Sequence, residues 1–153
     1  VNGFTAYEML SPERKAEIEH MQCTYSYVTL SRWLKEAAGR TDFLTEEEAA
    51  KYPDVVRPLV RTHPVTGRKA LWFSIEEITQ IDDLSYEASR ELLLELIEHM
   101  TSDEHMYYVH RWEQGQLIHW DNRSLMHSVS EYNYEGQRRL MHQITGKDLE
   151  FAV

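Results

Sequence analysis

From His105 to Trp112 the chain alternates, with Met106, Tyr108, His110 and Trp112 on one face and Tyr107, Val109 and Arg111 on the other. A period of two is the signature of a strand, because successive side chains of extended backbone point to opposite sides. Glu113-Gln114-Gly115-Gln116 reads as a turn, Leu117 to Trp120 as the returning strand, and Asp121-Asn122-Arg123 as a tight corner that delivers His127. A last strand is expected from about Gln137 to Thr145, ending at Gly146. This end of the chain is therefore read as sheet.

The same stretch carries the residues best suited to chemistry. A buried imidazole, as expected of His127, can hold a divalent metal through one ring nitrogen, and a guanidinium can grip a carboxylate with two parallel hydrogen bonds. Together they suggest a metal-bound acidic cosubstrate. Arg138-Arg139-Leu140-Met141-His142 offers two adjacent arginines. In a strand Arg139, Met141 and Gln143 share one face while Arg138, Leu140, His142 and Ile144 share the other, so only one of the two points where His127 points. Alternation alone does not choose between them.

Trp120-Asp121-Asn122-Arg123, a histidine seven positions after the tryptophan, and then Gln137-Arg138-Arg139-x-Met141-His142 together resemble the C-terminal signature of one enzyme family. That family is the taurine dioxygenase-like iron(II)/2-oxoglutarate-dependent dioxygenases. Val60-Arg61-Thr62-His63-Pro64-Val65-Thr66-Gly67-Arg68-Lys69-Ala70-Leu71, and Ala6-Tyr7-Glu8 followed by Leu10-Ser11, resemble it in the right order. The Arg-Thr-His-Pro-Val stretch is also similar to the phenoxyacetate-herbicide dioxygenases of the group. The resemblance implies a mainly β fold with helices, the double-stranded β-helix or jelly-roll. It implies iron(II) as cofactor, 2-oxoglutarate as cosubstrate, and hydroxylation of a small organic substrate by molecular oxygen, with succinate and carbon dioxide as coproducts. It makes His127 the distal iron ligand and Arg139 the arginine on the far carboxylate of 2-oxoglutarate. Trp112 and Trp120 match tryptophans near the iron, and Gln143 and Trp120 are the substrate-facing candidates. Gln143 stands where taurine dioxygenase carries an arginine for the substrate sulfonate, which argues against taurine. A homo-oligomer is plausible on the same ground.

The family's iron is held by a His-x-Asp pair as well as the distal histidine, a face that leaves positions open for cosubstrate and oxygen. By resemblance that pair should precede Ala6-Tyr7-Glu8, where only Val1 to Thr5 stand. The expectation is that residues 1–153 form the C-terminal portion of a single dioxygenase domain, the jelly-roll being incomplete in this chain. The alternative is a non-catalytic binding or scaffold protein of the same fold that lacks the pair. His119-Trp120-Asp121 reads literally as His-x-Asp, and with His127 suggests a zinc hydrolase, but an outward-facing His119 on a strand is the better reading. His63, before a proline at a strand end, is expected to be structural. Glu77 falls where the family tends to place a substrate-facing aromatic residue, although a solvent-facing carboxylate is the plainer expectation.

The remaining elements are read from local signals. Ser11-Pro12-Glu13-Arg14 starts a helix running to about Met21, and Thr45-Glu46-Glu47-Glu48 starts a short acidic one ended by Tyr52-Pro53. Leu59 to Thr62 and Lys69 to Phe73 are strands joined by a turn-rich link. Ser85 to about Thr101 is the clearest helix, with Leu92, Leu93, Leu96, Ile97 and Met100 on one side. Thr24 to Glu36 shows no clean period and is not forced into one element; a substrate lid or an aromatic packing surface would suit it.

A formal net charge of −10 over 153 residues argues against nucleic acid and anionic membrane as partners. The single cysteine, Cys23, allows no internal disulfide and suits a reducing, cytoplasmic setting.

Overall fold

In the computed structural model, residues 1–37, 39, 40, 43–130 and 140–146 are described. The elements run α1 (Gly3–Glu8), α2 (Pro12–Ile18), β1 (Gln22–Tyr25), α3 (Tyr27–Glu36), α4 (Glu46–Ala49), β2 (Val55–Pro58), β3 (Val60–Thr62), β4 (Lys69–Leu71), β5 (Ile78–Ile81) and α5 (Tyr86–Thr101).

The helices begin where their caps dictate. Ser11 accepts from the Arg14 backbone N–H with Pro12 opening α2, Thr45 and Glu48 form a reciprocal capping box on α4, and Ser85 accepts from the Ala88 N–H to start α5. Helix α2 stops at Ile18, short of the expected Met21, because the chain turns there with the Met21 N–H donating to the Ile18 carbonyl. The aperiodic stretch Thr24 to Glu36 spans two elements. Tyr25 ends β1, and the Ser26 hydroxyl, accepting from the Val28 N–H at 3.3 Å, caps α3. Mixed periods in one window follow from that junction.

Strands β2, β1 and β5 form an antiparallel sheet in that order, with Cys23 opposite Arg57 on one side and Ile81 on the other. Strands β3 and β4 form the expected hairpin, with Arg61 opposite Ala70. Between the elements lies a core containing Ile18, Leu59, Leu71, Ile78, Ile81, Leu93, Leu96 and Met106, all essentially without exposed surface. Helix α5 contributes Leu92, Leu93, Leu96 and Met100 to it, the stripe read from three-and-four spacing.

The first residues fasten the functional corner to this core. Asn2 N–H donates to the Met106 carbonyl at 2.6 Å, Gly3 N–H to the Ser124 carbonyl at 2.9 Å, and Met126 N–H to the Val1 carbonyl at 3.1 Å. The approach is possible only without a side chain at position 3. A Cβ there would lie 2.2 Å from the Leu71 carbonyl oxygen and 2.7 Å from that of Ser124.

Among the described residues, the strands expected from His105 to Trp112 and from Leu117 to Trp120 are not formed, and the one expected from about Gln137 to Thr145 lies partly outside the described residues. Residues 107–120 and 140–146 have no ladder, and Tyr108, Val109, Leu117, Leu140 and Ile144 are strongly exposed. A strand differs from a helix in needing its hydrogen bonds from another segment. Among the described residues none pairs with these in a ladder, and the isolated bridge between Asn2 and Leu125 lies just past the first segment. The alternation is present in the sequence; the partner that would convert it into sheet is not among the described residues.

Candidate functional site

Asp121 anchors the corner. Its Oδ1 accepts from the Arg123 backbone N–H and Nε, both at 2.9 Å, and its Oδ2 accepts from Arg123 Nη2 at 2.7 Å. The His63 Nε2 lies 3.0 Å from the same Oδ2. His63 Nδ1 accepts from the backbone N–H groups of Val65 and Thr66, which leaves Nε2 to carry the proton and donate to Asp121. The Arg123 hydrogen bonds, and then that from His63, hold the Asp121 carboxyl well below the usual carboxylate range. His63 is buried, as a structural histidine should be, and its ring meets Phe4 edge-on at 5.7 Å. Asp121 is thus engaged on both oxygens, while His119 is exposed. The literal His119-x-Asp121 pair, with or without His127, is not assembled as a metal site among the described residues.

His127 follows the corner and sits on one wall of a cleft of about 190 Å³, shared with Trp72, Phe73, Ser74, Glu76 and Met126. Its ring lies 4.9 Å from that of Trp120, centroid to centroid. Asn122 ties the two tryptophans together, its carbonyl accepting from Trp72 Nε1 at 2.6 Å and its Oδ1 from Trp120 Nε1 at 2.7 Å. Phe73 N–H donates to the Met126 sulfur at 3.3 Å, which closes the floor. The His127 imidazole is exposed rather than buried and makes no hydrogen bond among the described residues, so its ring nitrogens are free to act as donors to a metal. Trp112 lies away from this cleft, edge-on to His110 at 4.6 Å. Gln143 is exposed in residues 140–146, and Arg139 lies outside the described residues.

A second cavity, about 200 Å³, opens beside the first, and Trp72 walls both. Tyr25, Arg61 and Glu77 line it. The Arg61 guanidinium lies 3.6 Å over the Trp72 ring, a cation–π stack. Burial pushes the Tyr25 phenol up to about 12 and the Arg61 guanidinium below its ordinary value. Glu77, expected in solvent, faces this cavity instead; burial raises its carboxyl, against a hydrogen bond from Ser74. Sequence reasoning missed Arg61 as a lining residue, although an arginine inside a strand between an apolar Val60 and its hairpin was a usable signal.

A two-histidine, one-carboxylate iron face needs three donors on one side of the metal. The described residues bring one histidine, His127, and one carboxylate, Glu76, to the walls of the cleft, and no group of three His, Cys, Asp or Glu among them could hold a metal ion. They fit one corner of such a centre and not the whole of it.

The sheet and helices that carry this cleft are similar in fold to solved dioxygenase structures. Over residues 1–145 the chain matches the family described as taurine catabolism dioxygenase TauD, TfdA family, and it belongs to that family. It is 36% identical over 143 residues to an alpha-ketoglutarate-dependent 2,4-dichlorophenoxyacetate dioxygenase of Cupriavidus pinatubonensis, covering 94% of this chain and 47% of that protein. Pentalenolactone F synthase of Streptomyces arenae is 29% identical over 146 residues, covering 92% of this chain and 48% of that protein. Among solved structures, AAD-2 in complex with Mn(II) and N-oxalylglycine aligns with a TM-score of 0.62 at 36% identity, over 80% of this chain and 46% of that one. The chain spans about half the length of the curated relatives it matches.

Proposed function

We propose that this protein works as an iron(II)- and 2-oxoglutarate-dependent dioxygenase that hydroxylates a small organic substrate, releasing succinate and carbon dioxide, within a double-stranded β-helix. Family membership supports the class of reaction. The observation that carries it to particular residues is the unbonded His127 imidazole on the wall of an aromatic cleft, in ring contact with Trp120.

Iron(II) and 2-oxoglutarate, when bound, would supply the oxidising chemistry with molecular oxygen as the oxidant. The chain's own residues do the rest. His127 would offer a ring nitrogen to the metal, and the Trp120 ring limits its rotation. Trp72, Phe73 and Met126 keep the cleft poor in water. Arg139 takes the far carboxylate of 2-oxoglutarate in a bidentate grip. Trp120 and Gln143 contact the substrate, and Gln143, having no charge, leaves a sulfonate without a cation at that position. The one buried cysteine suits a cytoplasmic protein.

Anaerobic addition of iron(II) and then 2-oxoglutarate to the full chain tests this through the visible charge-transfer band of the chelate. His127→Ala is expected to weaken iron(II) binding and abolish the band. Arg139→Ala is expected to retain iron(II) affinity within about twofold while weakening 2-oxoglutarate by about 10- to 100-fold, the range for losing a charged hydrogen-bonding partner. Equal loss of both ligands in Arg139→Ala would remove that residue from its assigned role.

A further inference from the structure

A histidine that binds a metal through one ring nitrogen is ordinarily held in plane by a hydrogen bond from the other nitrogen to a carboxylate, a carbonyl or water. His127 makes no such bond to the described residues, and its ring contact among them is with Trp120, at 4.9 Å between centroids and an interplanar angle of 58°. The angle of the imidazole therefore follows the angle of the indole. Trp120 stands on backbone without a ladder and is only half-buried, so packing alone does not fix its ring.

What fixes it is a hydrogen bond two residues along. Trp120 Nε1 donates to Asn122 Oδ1 at 2.7 Å, at the short end for an N–H to oxygen bond. Asn122 is itself held through its main chain. Its carbonyl accepts from Trp72 Nε1 at 2.6 Å, and the Ser124 and Leu125 N–H groups both donate to the preceding Asp121 carbonyl, which tightens the corner around it. Trp72 is anchored in turn, its backbone N–H donating to the Leu59 carbonyl at 3.3 Å and its ring lying 3.6 Å beneath the Arg61 guanidinium. The acceptor that serves Trp120 thus stands on a fixed base that reaches the core.

We infer that Asn122 is a positioning residue for the metal ligand His127: its side-chain oxygen orients the Trp120 indole, and the indole orients the imidazole. Asn122 acts through Trp120 and needs no contact with metal or substrate. The inference rests on the dioxygenase reading, which is what makes His127 a ligand, while the geometry it concerns is in place before a metal binds.

Proton NMR of the full chain without metal tests the geometry. The chain has eight histidines, and the His127 ring protons are those missing from the spectrum of His127→Ala. In the unmodified protein they should be displaced by the Trp120 ring current. Asn122→Leu, close in shape but without an acceptor, should return them most of the way to the position of an unstacked imidazole. Asn122→Asp, which keeps the acceptor, should leave them displaced. Asn122 is exposed and its main-chain carbonyl serves Trp72 in both variants, so both should fold with an unchanged melting temperature. Iron(II) titration supplies the second readout. Asn122→Leu should weaken binding by about tenfold, the low end for losing a group that orients a ligand, and Asn122→Asp by no more than about twofold. Ring protons that ignore Asn122→Leu, or an equal change in both variants, would overturn the proposal. So would an iron(II) affinity that depends on His127 but not on Asn122, an outcome that leaves the dioxygenase reading standing. Iron(II) affinity indifferent to His127→Ala would sink the dioxygenase reading, and the positioning role with it, even where the ring protons move as expected.

Discussion

A carboxylate that accepts from an arginine main-chain N–H, from its guanidinium and from a buried imidazole is difficult to protonate, and Asp121 is in that position. Because its folded pKa lies below the ordinary 3.8, it contributes stability that is fully present above that value and is lost as pH falls toward the lower folded one. Asp121→Asn keeps one acceptor but cannot serve Arg123 and His63 together. The variant is expected to lose about 1–2 kcal/mol at pH 7 by urea unfolding, the low end of the scale for a hydrogen bond to a charged group because the Asp121 side chain is partly exposed. The gap between the variant and the unmodified protein should then narrow as pH is taken from 7 down to about 2. A constant gap across that range would mean that Asp121 acts through packing alone. The same residue shows what a motif conceals. Trp-Asp-Asn-Arg was readable as a signature, but the partner that gives its aspartate a purpose, His63, is 58 residues away.

At the scale of elements, what was legible divides by where the hydrogen bonds come from. Ser11 announces a helix because a cap and its helix lie within four residues of each other, and it is used as read, while Thr45 and Ser85, read as the first residues of their helices, turn out to be the caps. The β3–β4 hairpin was legible because its partner strands are joined by a short turn. Strands β1 and β5 were not, since their pairing joins Cys23 to Ile81 across most of the described fold and no local signal encodes it. Nor was the role of α1 as a clamp. Among the described glycines, Gly3 is the one pressed against backbone, touching β4 through Leu71 and the functional corner through Ser124. Gly3→Ala is expected to destabilise by about 1–3 kcal/mol, as overpacking against immovable carbonyls does, and to loosen the 124–127 segment with it. Thermal unfolding measures the first effect, and iron(II) affinity, through His127, the second. An alanine variant of unchanged melting temperature would show that the clamp has room to yield.

Across the whole molecule, burial and backbone pairing are unevenly distributed. The core gathers α5, the hairpin and the β2-β1-β5 sheet around side chains with almost no exposed surface, whereas Val109 and Leu117 stand 68% and 91% exposed on backbone with a strand's alternation and no ladder. Local opening is cheap where apolar burial is slight and backbone hydrogen bonds are few. Amide hydrogen exchange should therefore split the chain. Leu93 and Leu96, in the middle of α5, should exchange only on global unfolding, and amides of 107–120 within a few-fold of the intrinsic rate. The outcome bears on function, because the corner that carries Trp120 and His127 follows this segment directly. Tethering through Asn2, Gly3 and Met126 holds residues 124–126, so protection should rise again at that point even if the preceding residues exchange freely. Strong protection throughout 107–120 would mean that this stretch pairs as sheet in solution, which would restore the alternation to its ordinary meaning. Rapid exchange continuing through 124–126 would instead detach the His127 cleft from the folded core, and with it the preorganisation on which a metal-binding imidazole depends.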